Sequence, residues 1–206
     1  MTEDVEKAIA GCRDATARLL AALEAIEGLD TRQPSLLPDW SIGHVLTHLA
    51  RSADSYVRIL RGAAEGLEVA QYPEGASGRS RDIEQGSARP AAAIVDDLRT
   101  ASAALARAWD EAPAVAWQGW GVRLDGSPFP CRRLPVSRWR EVEVHHVDLG
   151  LGYGISDWPE SFVTLDLPLA LERLPQRIGS SSDRAALLAW AYGRAGEPTG
   201  IELQPF

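Results

Sequence analysis

The arrangement of apolar and polar residues along the chain predicts four α-helices. Apolar side chains recur every three or four positions in residues 3–27 and 91–109, the spacing that gives a helix one buried face. Ser41 is a good helix N-cap, and we predict a helix from there to about Arg61. A fourth helix is predicted to begin near Pro135, because proline is well tolerated at the first helical position, and to end at the glycines of "GLGYG". Four such helices, joined by long connections, predict a mainly α fold built on a four-helix bundle.

The connections and the C-terminal tail differ from the helices in composition. Residues 62–90 are polar and rich in glycine, so we expect a functional loop there with a short helical turn. Residues 111–135 combine tryptophan, proline and glycine, and we expect an ordered loop. After Trp158, "SFVTLDL" is typical of a short strand, two helical stretches follow, and "GIELQPF" is typical of a terminal strand. We therefore predict two domains, a helical bundle over residues 1–158 and a small α/β appendage over residues 159–206.

Charge and composition narrow the class of protein. The 206 residues include 29 acidic and 21 basic side chains, a formal net charge of −8. This argues against a broad nucleic-acid interface, which needs a basic face. No apolar run approaches the roughly 18 to 20 residues that a membrane-spanning helix needs. The N-terminal segment is acidic where a signal peptide is basic, so we expect a cytoplasmic protein in which both cysteines are free thiols. No pattern in the sequence indicates an oligomeric state.

All four histidines lie in two short apolar segments, "HVLTHLARSAD" and "REVEVHHVDLG". Residues four apart share a helix face, so His44 and His48 stack, and Glu141, His145 and Asp148 line one face of the later helix. Helical bundles bind divalent metals with imidazole and carboxylate donors one turn apart. The spacing is also compatible with buried core histidines, and it does not decide between His44 and His48 as a third ligand. Asp148 is a candidate to accept the second ring N–H of a ligand histidine.

Other catalytic constellations have weaker support. The chain has no G-x-S-x-G segment, and the glycines of "GLGYG" follow a helix instead of opening one, which excludes a dinucleotide fingerprint. Cys131 lies beside Arg132 and Arg133, whose charge is expected to lower the pKa of a thiol, so a catalytic cysteine stays an alternative. His146 shares a helix face with Val142 and is predicted to lie in the core or beside the ligands.

Four segments together resemble the mycothiol-dependent maleylpyruvate isomerase family, which belongs to the DinB-like metalloenzymes: "LLPDWSIGHVLTHLARSAD", "YPEGASGRSRDIEQGSARP", "RWREVEVHHVDLGLGY" and "LLAWAYGR". The resemblance covers nearly the whole chain, in the same order. It implies a DinB-like four-helix bundle that holds a divalent metal, usually zinc, through His48, Glu141 and His145. The tail is shorter than in many relatives, which carry further strands before the last helix.

The resemblance also implies an activity, the cis–trans isomerisation of maleylpyruvate to fumarylpyruvate with mycothiol or a similar low-molecular-weight thiol as cosubstrate. A metal-bound thiolate adds to the double bond, the resulting single bond rotates, and elimination returns the trans alkene. The enolate oxygen that develops needs a cation, and Arg194 and Arg81 are the candidate arginines. Trp40 and His44, close to the predicted ligands, are candidates to contact the thiol or the substrate.

Two further functions are compatible with the same residues. One is a thiol S-transferase that conjugates electrophiles and needs no elimination step. The other is a non-catalytic metal sensor or interaction module, for which we expect a closed site with His44 or Asp148 as the fourth ligand.

Overall fold

The computed structural model describes residues 3–194, 196–201 and 203, and these residues are mostly helical. The mainly α fold predicted from the sequence is confirmed. In chain order the elements are α1 (Glu3–Glu24), α2 (Ile42–Ala64), α3 (Gly75–Ser87), α4 (Ala91–Glu111), α5 (Ala114–Gln118), β1 (Trp120–Val122), β2 (Pro128–Pro130), α6 (Leu134–Asp148), α7 (Glu160–Arg177) and α8 (Ser181–Ala191). None of the helices in the described residues combines the length and the apolarity that spanning a bilayer requires.

The chain divides into two compact units, Met1–Trp158 and Pro159–Phe206. In the first unit α1, α2, α4 and α6 form a four-helix bundle in which α2 packs on α4 and α6, and α1 packs on α6 and α4. Helices α1 and α4 bury the apolar face that their sequence period predicts, because burial of that face supplies most of the stability of a bundle helix. The buried side chains include Leu19, Leu49, Leu98, Leu105 and Leu134.

Helices α1 and α6 approach closely at Gly11. A Cβ atom at this position would lie 2.3 Å from the nearest atom of the Trp139 indole, so only a glycine leaves room for the ring. Trp139 donates from Nε1 to Glu143 Oε1 at 3.0 Å, and Arg18 of α1 donates to the same oxygen at 2.6 Å. One buried carboxylate of α6 therefore ties the two helices together.

The segment between α2 and α4 differs from the prediction. It contains α3, a helix of 13 residues, where we expected a loop with a short turn. Gly86 is a contact point and not a turn residue, since a Cβ atom there would lie 2.3 Å from Thr47 Cγ2 on α2. Glycine has low intrinsic helix propensity, which favours the loop prediction, but packing against α2 outweighs that preference.

The connection between α4 and α6 is ordered, as predicted. It contains α5 and an antiparallel hairpin in which Gly121 of β1 pairs with Phe129 of β2. The buried Phe129 ring packs edge-on against Tyr56 of α2, with ring centroids 5.6 Å apart. A Cβ atom on Gly121 would lie 2.6 Å from Ile59 Cγ2, so this glycine lets the hairpin lie directly on α2.

The second unit is also helical in its described part. The strand predicted for residues 161–167 is wrong, because these residues belong to α7. A strand needs a partner for its backbone N–H and C=O groups, whereas a helix satisfies them within the segment. Between the described residues of this unit, β pairing is limited to a bridge joining Ile178 to Leu203. Of the predicted terminal strand, residues 202 and 204–206 lie outside the described residues.

Candidate metal centre

Three of the predicted ligands converge between α2 and α6. His48 comes from α2, and Glu141 and His145 lie one turn apart on α6. One potential ligand atom from each residue lies within 4.8 Å of the others. His48 Nε2 is 2.9 Å from Glu141 Oε2, and His145 Nε2 is 3.7 Å from the same oxygen. Two imidazoles and one carboxylate therefore face a common point, which is a donor set typical of divalent metal sites.

The second ring nitrogen of His145 is held by a carboxylate. Its Nδ1 lies 2.8 Å from Asp148 Oδ2, one turn further along α6. A carboxylate accepts, so this bond places the ring proton on Nδ1 and leaves the lone pair of Nε2 directed toward Glu141. Such a partner fixes the tautomer and the ring orientation of a ligand histidine. The structure thus supplies the contact that the spacing suggested for Asp148.

The electrostatic surroundings favour the protonation states that a metal requires. Burial lowers the pKa of His48, which is only 6% exposed, so the ring is neutral at pH 7. Burial alone would raise the pKa of Glu141, but the hydrogen bond from His48, the largest of the opposing causes, helps to bring it down to about 2. A neutral imidazole and an ionised carboxylate already have the net charge of the ligand forms, so metal binding requires no net release of protons from them.

His44 lies outside the cluster and caps α2. Its backbone N–H donates to Ser41 Oγ, and its Nδ1 accepts from the Ser41 backbone N–H at 3.2 Å, a reciprocal capping box. Its Nε2 lies 3.1 Å from Glu84 Oε2 and 3.2 Å from Ser87 Oγ, both on α3. The structure therefore gives His44 a role in starting α2 and joining it to α3. The choice of His48 over His44 for the cluster matches the family resemblance.

Trp40 forms a wall of the cluster. Its indole meets the His48 ring edge-on with centroids 5.7 Å apart, and it lies tilted to His44 at 6.1 Å. The indole thus covers one side of the most buried ligand residue.

Arg79 contacts the cluster, although it is not among the residues predicted from the sequence. Its Nη2 lies 3.1 Å from His48 Nδ1, and its guanidinium carbon lies 6.0 Å from the centroid of Trp40 and 5.8 Å from that of Tyr72. Arg81, proposed from the sequence, is exposed and forms ion pairs with residues of its own helix.

The helix period of α3 explains the difference between the two arginines. Arg79 precedes the buried residues Ile83 and Gly86 by four and seven positions, so it lies on the face that packs against α2. Arg81 lies on the exposed side. Recognition of α3 as a helix would have placed Arg79 and Ile83 on one face from the sequence, but only the packing shows that this face meets α2.

The remaining predicted residues have clear positions. Arg194 belongs to the second unit, three residues after α8, and its backbone N–H donates to Ala189 O at 2.7 Å. His146 is buried and stacks on Tyr153 with ring centroids 3.8 Å apart, which confirms its prediction as a core residue. Cys131 is fully buried, and burial raises the pKa of its thiol to about 11. The lowering of this pKa expected from Arg132 and Arg133 is therefore wrong, and the structure gives no support to an activated cysteine at this position.

The four-helix bundle and the His–Glu–His cluster across two of its helices place this chain among helical-bundle proteins with a potential divalent-metal site. Residues 12–150 match the family model described as the mycothiol maleylpyruvate isomerase N-terminal domain. The match spans more than half of the chain, and the chain belongs to this family.

Two crystal structures are similar to this chain. A histidine-to-alanine mutant of the mycothiol-dependent maleylpyruvate isomerase is 25% identical, with a TM-score of 0.77, over 86% of this chain and 74% of that one. A structure of the mycothiol-dependent maleylpyruvate isomerase itself is 21% identical, with a TM-score of 0.79, over 100% of this chain and 99% of that one. The fold is accordingly the DinB-like bundle predicted from the resemblance. A search of curated protein sequences found no significant match.

Proposed function

We propose that this chain is a metal- and thiol-dependent isomerase that converts maleylpyruvate, or a similar cis-enoyl dicarboxylate, to its trans isomer with mycothiol as cosubstrate. Family membership supports the reaction class. The observation that carries the proposal is the convergence of His48, Glu141 and His145, because it supplies the donors for a metal at which a thiol can be activated. We infer that residues 1–158 form the metal-binding domain and residues 159–206 a second domain, since all three donors belong to the first unit.

The donor set fits a borderline-soft divalent ion, for which zinc is the natural expectation. His48, Glu141 and His145 would hold it, and three protein donors leave one position open for a small molecule. The bound metal supplies a Lewis acid that favours the thiolate form of a thiol at neutral pH. His48 is neutral and Glu141 is ionised in the folded protein, so metal binding requires no net loss of a proton from either side chain.

The protein contributes orientation and charge to the reaction. The thiolate sulfur bonds to one carbon of the C=C bond, and the π electrons move onto the conjugated carbonyl as an enolate. The remaining C–C single bond rotates, and the enolate then expels the thiolate and restores a trans double bond. Asp148 holds the His145 ring in place, and Trp40 shields the buried His48 from water. Arg79 brings a positive charge next to the cluster, where the enolate and the carboxylates of the substrate carry negative charge. Arg194 and Arg81 stay candidates for a second cation.

Metal content tests the first half of the proposal. The purified protein, offered zinc, should hold about one divalent ion per chain by mass spectrometry. His48→Ala, Glu141→Ala and His145→Ala should each lose it, because each removes one of three donors. His44→Ala is the matched control, since His44 is the neighbouring histidine on the same helix but lies outside the cluster. Retention of metal in all three ligand variants would show that the cluster is a buried polar contact and not a metal site.

Product analysis tests the second half. Zinc-loaded protein, mycothiol and maleylpyruvate should give the trans isomer by NMR, and omission of the thiol should abolish turnover. A stable thiol adduct in place of the isomer would identify a thiol S-transferase. Metal binding without either product would leave a sensor or interaction module. Arg194→Ala and Arg81→Ala, assayed in parallel, test the two arginines proposed from the sequence.

A further inference from the structure

We propose that Arg79 forms a carboxylate-binding subsite beside the metal cluster, so that the substrate is recognised through a carboxylate that the guanidinium holds against Trp40 and Tyr72. This assignment rests on the proposed function for the identity of the substrate. The subsite itself is inferred from the surroundings of Arg79.

Helix α3 holds Arg79 in place through its contact with α2. Gly86 and Gly43 lie at this contact: a Cβ atom on Gly86 would meet Thr47 Cγ2 at 2.3 Å, and one on Gly43 would meet the backbone oxygen of Ser87 at 2.9 Å. These approaches are closer than any side chain allows, so the distance between the helices is set by glycine at both points. The guanidinium of Arg79, two turns before Gly86, thereby reaches the His48 ring.

The guanidinium has a charge that no carboxylate balances at close range. Within the described part of the chain no carboxylate lies within ion-pair distance of Arg79, whereas Arg81, on the same helix, pairs with Glu74 at 3.0 Å and Asp82 at 3.4 Å. Arg79 is only partly exposed, and the rings of Trp40 and Tyr72 flank it. A guanidinium offers five N–H donors in a planar fork, and such a fork binds a carboxylate through two parallel hydrogen bonds.

The contact with His48 can be exchanged for a ligand. Because a guanidinium only donates, His48 Nδ1 accepts from Arg79 and its ring proton lies on Nε2, facing Glu141. A neutral histidine that uses Nε2 as a metal donor carries its proton on Nδ1 instead, and Nδ1 can then no longer accept from Arg79. Metal binding through Nε2 and the Arg79–His48 hydrogen bond thus exclude each other. When a metal is bound, the Arg79 N–H that contacts His48 here is available to donate to a ligand.

Maleate is a suitable probe, because it is a cis dicarboxylate and its binding can be followed without thiol or turnover. We expect zinc-loaded protein to bind maleate in isothermal titration calorimetry. Arg79→Ala should weaken binding by about 10- to 100-fold, the loss expected for a charge-assisted hydrogen bond. Arg79→Lys should retain part of it, since lysine keeps the charge but loses the fork. Arg61→Ala, which removes an exposed arginine from the last turn of α2 well away from the cluster, is the control and should bind like the wild type.

Two further readouts separate recognition from support of the metal. Zinc content and thermal unfolding should be unchanged in the Arg79 variants. Loss of zinc from Arg79→Lys with maleate affinity unchanged in zinc-saturated protein would overturn the proposal, since Arg79 would then only position His48. Absence of maleate binding to the wild type would overturn it as well.

Turnover distinguishes failure of this assignment from failure of the proposed function. If the protein isomerises maleylpyruvate and Arg79→Ala leaves KM unchanged, the subsite is refuted and the function stands. If maleate binds through Arg79 and no isomer forms, the subsite stands and the function fails. We expect an increase in KM for the substrate in Arg79→Ala that is larger than the decrease in kcat.

Discussion

Two ion pairs of α1 have nearly equal N–O distances, but we expect them to differ strongly in their contribution to the free energy of unfolding. Arg18 contacts Glu143 at 2.6 Å, and Arg13 contacts Asp110 at 2.7 Å. The Glu143 side chain is 1% exposed, whereas those of Arg13 and Asp110 are 42% and 65% exposed. Glu143 also accepts from Trp139 Nε1 at 3.0 Å. Removal of this carboxylate therefore leaves buried donors without an acceptor. After removal of Asp110, in contrast, water can solvate the exposed Arg13.

The expected losses follow from burial. Breaking a buried ion pair costs about 3 to 5 kcal/mol. For Glu143→Ala we expect a loss of about 3 kcal/mol in the free energy of unfolding, because the Arg18 side chain is partly exposed to solvent. Exposed pairs contribute at most about 1 kcal/mol, which is the loss expected for Asp110→Ala. Urea unfolding followed by tryptophan fluorescence measures both, with the free energy of unfolding compared at equal m-values. Added salt should reduce the effect of Asp110→Ala and leave that of Glu143→Ala nearly unchanged. Equal losses of unfolding free energy in the two variants would refute the reasoning that burial, and not the N–O distance, determines the energy of an ion pair.

Three further outcomes can be checked by simple measurements. Gly11→Ala should destabilise the bundle by about 1 to 3 kcal/mol in thermal unfolding, because a Cβ atom 2.3 Å from the Trp139 ring costs more than the helix propensity of alanine returns; a more stable variant would contradict the contact. Burial and its hydrogen bond to a carboxylate raise the pKa of Tyr153 to about 12, so its contribution to stability is complete below pH 10 and is lost as the pH rises from 10 toward 12. Tyr153→Phe should lack that part of the pH dependence in urea midpoints. Cys12 and Cys131 are buried, and burial raises both thiol pKa values to about 11, so a disulfide reagent at pH 8 should label neither thiol in the native protein and both after denaturation.

Local patterns predicted the elements whose stability depends on one helix face. The periods of α1 and α4 and the N-cap at Ser41 gave nearly the observed bounds, because these helices bury a continuous apolar stripe. The segment 161–167 was misassigned because β-branched residues favour a strand only where a neighbouring strand pairs with them. The glycines of α3 favour a loop because of their low helix propensity, although Gly86 serves the contact with α2. Contacts between helices distant in the chain cannot be predicted from the local sequence.

The sequence by itself determined that Glu141, His145 and Asp148 share a face, since a single helix fixes residues three and four apart. Spacing left His44 and His48 equivalent, and the family resemblance was needed to choose between them. Only the tertiary structure decided that His48 meets Glu141 while His44 caps its helix. The physical reason is that the rotation of one helix about its axis relative to another is set by packing between residues distant in the chain. The position of Arg79 was likewise decided by the packing of a whole helix and not by the residues around it.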